Sequence, residues 1–304
     1  MVYVPGGTFR MGSDKHYPEE RPVHRVAVDG FWIDRFPVTN RAFREFVEST
    51  GYVTFAERTP DASKYPGIPP EALQPGSLVF VPPSCRVDRG NYLQWWEYRP
   101  GANWKHPHGP NSSIADLDDH PVVHVTYDDA EAFSKWAGKS LPTEAEWEFA
   151  ARGGLDGAEF AWGNEFLPSQ KYMANTWQGE FPWENQLLDG FGATSPVGAF
   201  PPNGYGLYDV TGNVWEWTSD WYQGKHKPDA AKPCCIPKNP REGREEQSYD
   251  PAHAGGFPRR VVKGGSFLCA PNYCLRYRPA ARMPEAVDTS TCHLGFRCIL
   301  RDPR

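Results

Sequence analysis

Three observations predict an α+β fold of short mixed strands, a few helices and much ordered loop. Twelve Trp, fourteen Tyr and seventeen Phe stand beside twenty-nine Gly and thirty-one Pro in 304 residues. So many large rings among so many rigid turns describe irregular loops pinned by aromatic packing rather than a helical lattice. Helical periodicity is confined to three segments, and the other apolar runs are short and bounded by turn residues.

Taken in order, residues 1–11 read as a strand holding Val2 and Val4, a Gly6-Gly7 turn, and a second strand through Thr8 and Phe9. Extended segments at 23–28 and 31–33 follow, separated by Asp29-Gly30, a strong turn signal. In 40–50, Phe43, Phe46 and Val47 fall at helical spacing, and Gly51 stands where a C-cap would end the helix. From Tyr52 to His120 the periodicity is lost. Trp95, Trp96 and Trp104 run through this stretch, which marks ordered loops, a lid or a substrate-facing surface rather than disorder.

Residues 122–126 read as a strand entering a helix that Thr126 caps with Asp129; Phe133, Trp136 and Ala137 form its buried stripe, and Gly138 ends it. A Thr143/Glu146 capping box opens the third helix, which turns Trp147, Ala150 and Ala151 inward before Gly153-Gly154. Extended pieces at 197–200, 207–210 and 214–218 read as hairpins, 259–263 leads into a cysteine segment, and 294–300 reads as a closing strand. With no repeat and no long polar linker, residues 1–304 are expected to form one domain.

A formal net charge of −6 and a pI near 5.9 give no electrostatic reason to expect nucleic acid or an anionic membrane as partner. No window is apolar for the ~18 residues that mark a spanning helix. The N-terminus lacks the basic, apolar and small-residue pattern of an export signal, so a soluble chain is expected.

The cysteines are Cys85, Cys234, Cys235, Cys269, Cys274, Cys292 and Cys298, too sparse for a disulfide scaffold. Cys269 and Cys274 flank Pro271-Asn272 in the stretch on which the functional reading turns. Strand residues an odd number apart face opposite ways, so these thiols share a site only if the chain bends between them, and Pro-Asn supplies a bend. The residues alone leave open a structural disulfide, a redox pair, or two ligands for a soft metal. Zinc is one such metal, if Cys292 and His293 converge on the same loop.

Oxygen ligands gather among glycines in two places, 175–191 around Asp189 and 209–216 between Asp209 and Glu216. A hard cation takes ~6–8 oxygens, several of them from tight-loop carbonyls. Asx-turns around a satisfied surface carboxylate are the plainer alternative.

Beyond these signals, the chain resembles the formylglycine-generating enzyme family along nearly its whole length. The resemblance is carried by residues 4–12 (VPGGTFRMG), 38–40 (VTN), 101–104 (GANW), 119–122 (DHPV), 136–139 (WAGK), 141–148 (LPTEAEWE), 203–208 (NGYGLY), 212–217 (GNVWEW) and 294–297 (LGFR). Most of these mark the wider fold, which also includes iron-dependent sulfoxide synthases. The discriminating feature is Cys269 with Cys274, and the paired-His helix usual in the sulfoxide synthases is missing.

The resemblance implies an irregular C-type-lectin-like (sulfatase-modifying factor) fold. It also implies copper-dependent oxidation of the cysteine in a Cys-x-Pro-x-Arg sulfatase motif to formylglycine. The partners would be an unfolded sulfatase polypeptide, dioxygen and a thiol reductant. Cys269 and Cys274 would hold Cu(I), a soft ion suited to thiolates, with the substrate cysteine as a third sulfur. Ser266, Tyr273 and Trp215 would act beside them, Ser266 toward oxygen species or water, Tyr273 in orienting substrate, Trp215 as a dry wall. By the family pattern Ca2+ would be held by Asn175, Thr176, Asp189 and Phe191, and again by Asp209, Gly212, Val214 and Glu216, with Thr176, Phe191, Gly212 and Val214 acting through backbone carbonyls.

Glu57 is a candidate to receive the substrate Arg. Ala151 and Pro279 stand where secreted animal members carry disulfide cysteines, which fits a reducing cytoplasm and a monomeric bacterial-type enzyme. Cys292 and Cys298 read as small buried hydrophobes. The competing class is a calcium-stabilised C-type-lectin-like module that binds peptide or glycan without catalysis.

Overall fold

Two glycine corners near the N-terminus set the path of the chain. The computed structural model describes residues 1–250 and 256–301 and opens with β1 (Val2–Val4), β2 (Gly7–Met11), β3 (His24–Val28) and β4 (Phe31–Ile33). The expected strands form, but neither turn closes a hairpin: β1 pairs antiparallel with β4, and β2 with β3 from Gly7 opposite Val28 to Met11 opposite His24. The corners lie on one another instead. A Cβ on Gly6 would stand 2.6 Å from the Val28 carbonyl oxygen and 2.7 Å from the Gly30 nitrogen, so the bend admits only glycine there.

The three helices form at the expected signals. α1 (Asn40–Thr50) starts where the Ala42 amide donates to Thr39 Oγ1 at 3.3 Å and stops at Gly51, φ 68°. α2 (Tyr127–Trp136) opens on the expected Thr126 cap and α3 (Glu144–Arg152) on the predicted capping box, and in both the bonds are reciprocal. Phe43, Phe46 and Phe133 pack with Trp104, Trp215, Trp217 and Phe296 into one apolar cluster. Trp136 corrects the expected stripe: α2 ends there, and the ring lies 43% exposed against Phe46 and Phe133.

α3 is buried along its whole length, including three glutamates and an arginine. Each carboxylate is paired: Glu144 with Arg282 at 2.8 Å, Glu146 with Arg301 at 2.7 Å, and Glu148 with Arg152 at 2.7 Å and Lys263 at 3.0 Å. Buried charges persist only with such partners.

Between α1 and α2, β5 (Gly76–Phe80) pairs antiparallel with β6 (Trp96–Pro100) inside the stretch read as loops. After α3 the chain forms β7 (Trp215–Trp221), β8 (Arg259–Lys263), β9 (Arg282–Ala286), β10 (Leu294–Gly295) and β11 (Ile299–Arg301). The order β10-β7-β8-β9 makes one sheet, with β10 parallel to β7, and β11 joins β4 in another. The predicted closing strand is therefore two strands, joined by residues 296–298, which cross between sheets.

Residues 122–126 are not a strand, because His124 takes φ 60° and breaks the extended run. Residues 197–200 and 207–210 remain loops, tied by the Gly198 amide donating to Asp209 Oδ2 at 2.7 Å. β9 escaped the reading because it contains Pro284, which an edge strand tolerates. Among the described residues no helix is long and apolar enough to cross a membrane.

Candidate active site

β8 ends at Lys263, and the chain then turns through Gly264 (φ 96°) and Gly265 (φ 69°). A Cβ on Gly265 would come within 2.9 Å of the Arg276 carbonyl, so the two ends of the cysteine loop touch where no side chain fits. Inside the loop the Cys269 amide donates to Ser266 O at 2.9 Å and the Cys274 amide to Ala270 O at 2.8 Å. These turns, with Pro271-Asn272 at the apex, bring Cys269 Sγ and Cys274 Sγ to 3.0 Å as free, buried thiols.

The two sulfurs have unequal surroundings. Cys274 is held at about 7, below a normal thiol, by the hydrogen bond from Cys269 and then by Arg276, whose Nη1 stands 3.9 Å away. Burial and the neighbouring sulfur push Cys269 up. The pair therefore ionises first as a shared thiol-thiolate.

A cavity of about 430 Å³ opens on the pair, lined by Trp215, Ser266, Tyr273, Arg276 and His293 among others. Ser266 Oγ accepts from the Leu268 amide at 3.2 Å and lies 2.9 Å from His293 Nδ1. Burial pushes His293 down to about 3, so its ring is neutral. Tyr273 stacks on Phe181 with centroids 4.3 Å apart and is 40% exposed toward the opening. Trp215, the first residue of β7, is buried in the core cluster and shows one face to the cavity.

Tyr92, Leu93, Trp95 and Trp96 complete the wall, so the aromatic stretch expected to face a substrate does border the thiols. Sequence reasoning gave no role to Arg276, Tyr92 or Leu93. For Arg276 the signal was present in its position two residues beyond Cys274.

Cys292 turns away from the pair. Its sulfur accepts from the Phe80 amide at 3.3 Å, and burial raises it to about 12. Cys298 is likewise fully buried. Among the described residues the thiol pair, Cys292 and His293 do not converge as a metal cluster, so the four-ligand zinc site does not form. Glu57 is not a free receptor for arginine: it binds Lys105 at 2.9 Å, Trp104 Nε1 at 3.3 Å and Thr54.

The two oxygen-rich loops buttress the cysteine loop. The Trp177 amide donates to Cys269 O and the Phe267 amide to Asn213 O, each at 3.0 Å. In the first set Asp189 accepts from the Thr176 and Phe191 amides at 2.9 and 3.0 Å and from Gln178 Nε2 at 2.6 Å; the Thr176 carbonyl expected to bind the ion also accepts from Gln178 Nε2, while Asn175 Oδ1 and Thr176 Oγ1 are buried without partners. Two orphaned oxygens beside a carboxylate fit a hard cation.

The second set fits less openly. Glu216 accepts from Arg297 at both oxygens and from Trp147 Nε1, each at 2.7 Å, which leaves one lone-pair direction on Oε1. Asp209 accepts from the Gly198 amide, and burial lifts it to about 6. Gly212, φ 75°, donates its amide to Gly264 O at 2.9 Å, and Val214 is buried one residue before β7.

With this geometry the chain is 51% identical over 300 residues to a formylglycine-generating enzyme of Mycobacterium tuberculosis, covering 98% of this chain and 97% of that protein. It is 39% identical to a Bos taurus protein named inactive C-alpha-formylglycine-generating enzyme 2, covering 98% and 87%. The structure of PvdO from Pseudomonas aeruginosa shares the fold, with a TM-score of 0.63 at 23% identity over 98% of this chain and 92% of that one. Residues 1–302 match the sulfatase-modifying factor enzyme 1-like domain, and the chain belongs to the family of formylglycine-generating enzymes.

Proposed function

We propose that this chain is an oxidase that converts the cysteine of a Cys-x-Pro-x-Arg segment in an unfolded sulfatase to formylglycine. The observation that carries the reading is the buried thiol pair, 3.0 Å apart, on the wall of an open aromatic cavity. The relative from Mycobacterium tuberculosis carries the name of that activity. Because a relative named inactive is 39% identical over 98% of this chain, the reading rests on the thiols as well as on the family.

The reaction balances when the substrate thiol, dioxygen and two molecules of reductant thiol give the aldehyde, hydrogen sulfide, water and the reductant's disulfide. Dioxygen needs a partner capable of one-electron steps to attack a C-H bond. Two thiolates are a donor set for Cu(I), and a copper ion held by Cys269 and Cys274 supplies that redox chemistry when bound.

The chain's own residues prepare the site. The hydrogen bond from Cys269 and then the Arg276 guanidinium hold Cys274 at about 7, so a soft ion or an incoming thiol meets a substantial share of thiolate at neutral pH. Ser266 and neutral His293 form a relay that can pass a proton at Ser266 Oγ. Trp215, Trp95 and Trp96 exclude water, and Tyr273 faces the opening where the peptide enters. Ca2+ at Asn175, Thr176, Asp189 and Phe191 would stiffen the loop that holds Cys269 through Trp177. We place the enzyme in the cytoplasm as a monomer, acting before the sulfatase folds.

The test is incubation of copper-loaded chain with a Cys-x-Pro-x-Arg peptide, oxygen and a thiol reductant, followed by mass spectrometry and carbonyl trapping. An aldehyde at the cysteine position, lost in C269S and in C274S, is expected. Turnover retained in both variants would sink the assignment.

A further inference from the structure

At the start of β3, away from the thiol cavity, His24, His226 and Glu242 come together with all three side chains buried. Each offers one ligand atom, and the three atoms lie within 4.8 Å of one another. The two rings lie with centroids 4.7 Å apart, tilted by 43° to one another.

Their hydrogen bonds fix the tautomers. His24 Nδ1 lies 3.0 Å from Pro22 O, a carbonyl that can only accept, so Nδ1 carries the proton and Nε2 a bare lone pair. His226 turns Nδ1 toward Glu242 Oε2 at 3.1 Å, so the donor atoms of these two residues already face one another and an ion between them takes the place of the shared proton. Both Nε2 atoms are buried without any partner. For His24 this is the arrangement that metal-binding histidines adopt, an Nδ1-H oriented by a carbonyl with the opposite nitrogen bare.

The surroundings keep the three in place. The His226 amide donates to Arg21 O at 2.9 Å and the Glu242 amide to Asp220 Oδ1 at 2.7 Å. Gly12 leaves room for the His226 ring, since a Cβ there would stand 3.2 Å from Cδ2. The neighbouring cation, Arg282, has its charge answered by both oxygens of Glu144 at 2.8 Å.

We propose that His24, His226 and Glu242 form a second metal site that takes one divalent ion of borderline softness, zinc being the ion that two imidazoles and a carboxylate suit. The site is independent of the thiol pair and of the oxidase reading. It would pin the loops around 22 and 226 to β3.

The experiment uses the full chain carrying C269A and C274A, stripped with chelator and then dialysed against zinc or cobalt(II). One retained equivalent is expected, with cobalt d-d bands of nitrogen and oxygen coordination and no sulfur-to-cobalt charge transfer. In the unsubstituted chain, cobalt should also shift two exchangeable imidazole N-H resonances. H24Q and H226Q should lose the bands. Absence of a retained equivalent, bands with sulfur character from Cys85, Cys234 or Cys235, or bands unchanged in both variants would overturn the site. If a variant fails to fold, the two shifted resonances decide alone, and their absence counts against the proposal.

Discussion

Arg276 Nη1 lies 3.9 Å from Cys274 Sγ, and its Nη2 is anchored by Glu19 at 2.7 Å, so one guanidinium spans from the thiol pair to the loop preceding β3. Its plane also covers the Tyr17 ring at 3.8 Å. The charge is thereby fixed beside a sulfur rather than free to move into solvent.

Replacing Arg276 by Gln should raise the first ionisation of the thiol pair from about 7 by roughly 1–3 pH units, the effect of removing an opposite charge at this range. Copper(I) affinity near neutral pH should fall accordingly, because the ligand must lose its proton to bind. In the unsubstituted chain, thiolate and metal affinity both grow as pH rises through about 7. Ultraviolet thiolate absorbance against pH checks the shift, and an unchanged titration in R276Q would remove Arg276 from the site.

Calcium should stabilise the folded chain through the first oxygen set. Asn175 Oδ1 and Thr176 Oγ1 are buried without partners, an unfavourable state that a bound cation relieves. At 100 times its dissociation constant a ligand contributes about 2.7 kcal/mol. Thermal melts should therefore show a higher midpoint with calcium than with chelator. D189N should abolish the difference, while D209N should leave most of it.

Much of this was legible in the sequence, and the exceptions share a cause. The helices were legible because Gly51, Thr126, Gly138, Thr143 and Gly153 act within one turn of chain. The bend between Cys269 and Cys274 was legible for the same reason. Strand partners were not: Gly6-Gly7 and Asp29-Gly30 look like hairpin turns, yet their strands pair across the two corners. The joint role of His24, His226 and Glu242 depends on residues far apart in sequence, and Arg297 on Glu216 likewise. Glu57 looked available because its partner Lys105 lies 48 residues away.

The buried charges on α3 should make stability fall in acid. Burial alone would raise Glu148, but Lys263 and Arg152 outweigh it and hold the carboxyl at about 2, below its ordinary 4.5. A depressed carboxyl contributes stability above its unfolded value and loses it as pH falls toward the folded one. Urea midpoints should thus drop between about pH 4.5 and 2. K263M should cost roughly 3–5 kcal/mol at neutral pH, since Glu144 and Glu148 lose a shared cation, and should flatten part of the acid slope.

Peptide capture should depend on the rim rather than on the thiols. Leu93 is 70% exposed and Tyr92 60%, although both border the cavity that holds Cys269 and Cys274. A large apolar side chain left in water at the mouth of a pocket gains burial when an extended peptide lies across it. Covering a leucine contributes about 1.5 kcal/mol, roughly tenfold in affinity. L93A should therefore raise KM for a Cys-x-Pro-x-Arg peptide by up to roughly tenfold with kcat unchanged, the pattern of lost uniform binding. Y92A should do the same. A fall in kcat at constant KM would instead place these side chains in the reacting region, and no change in either constant would mean that the peptide enters from another side.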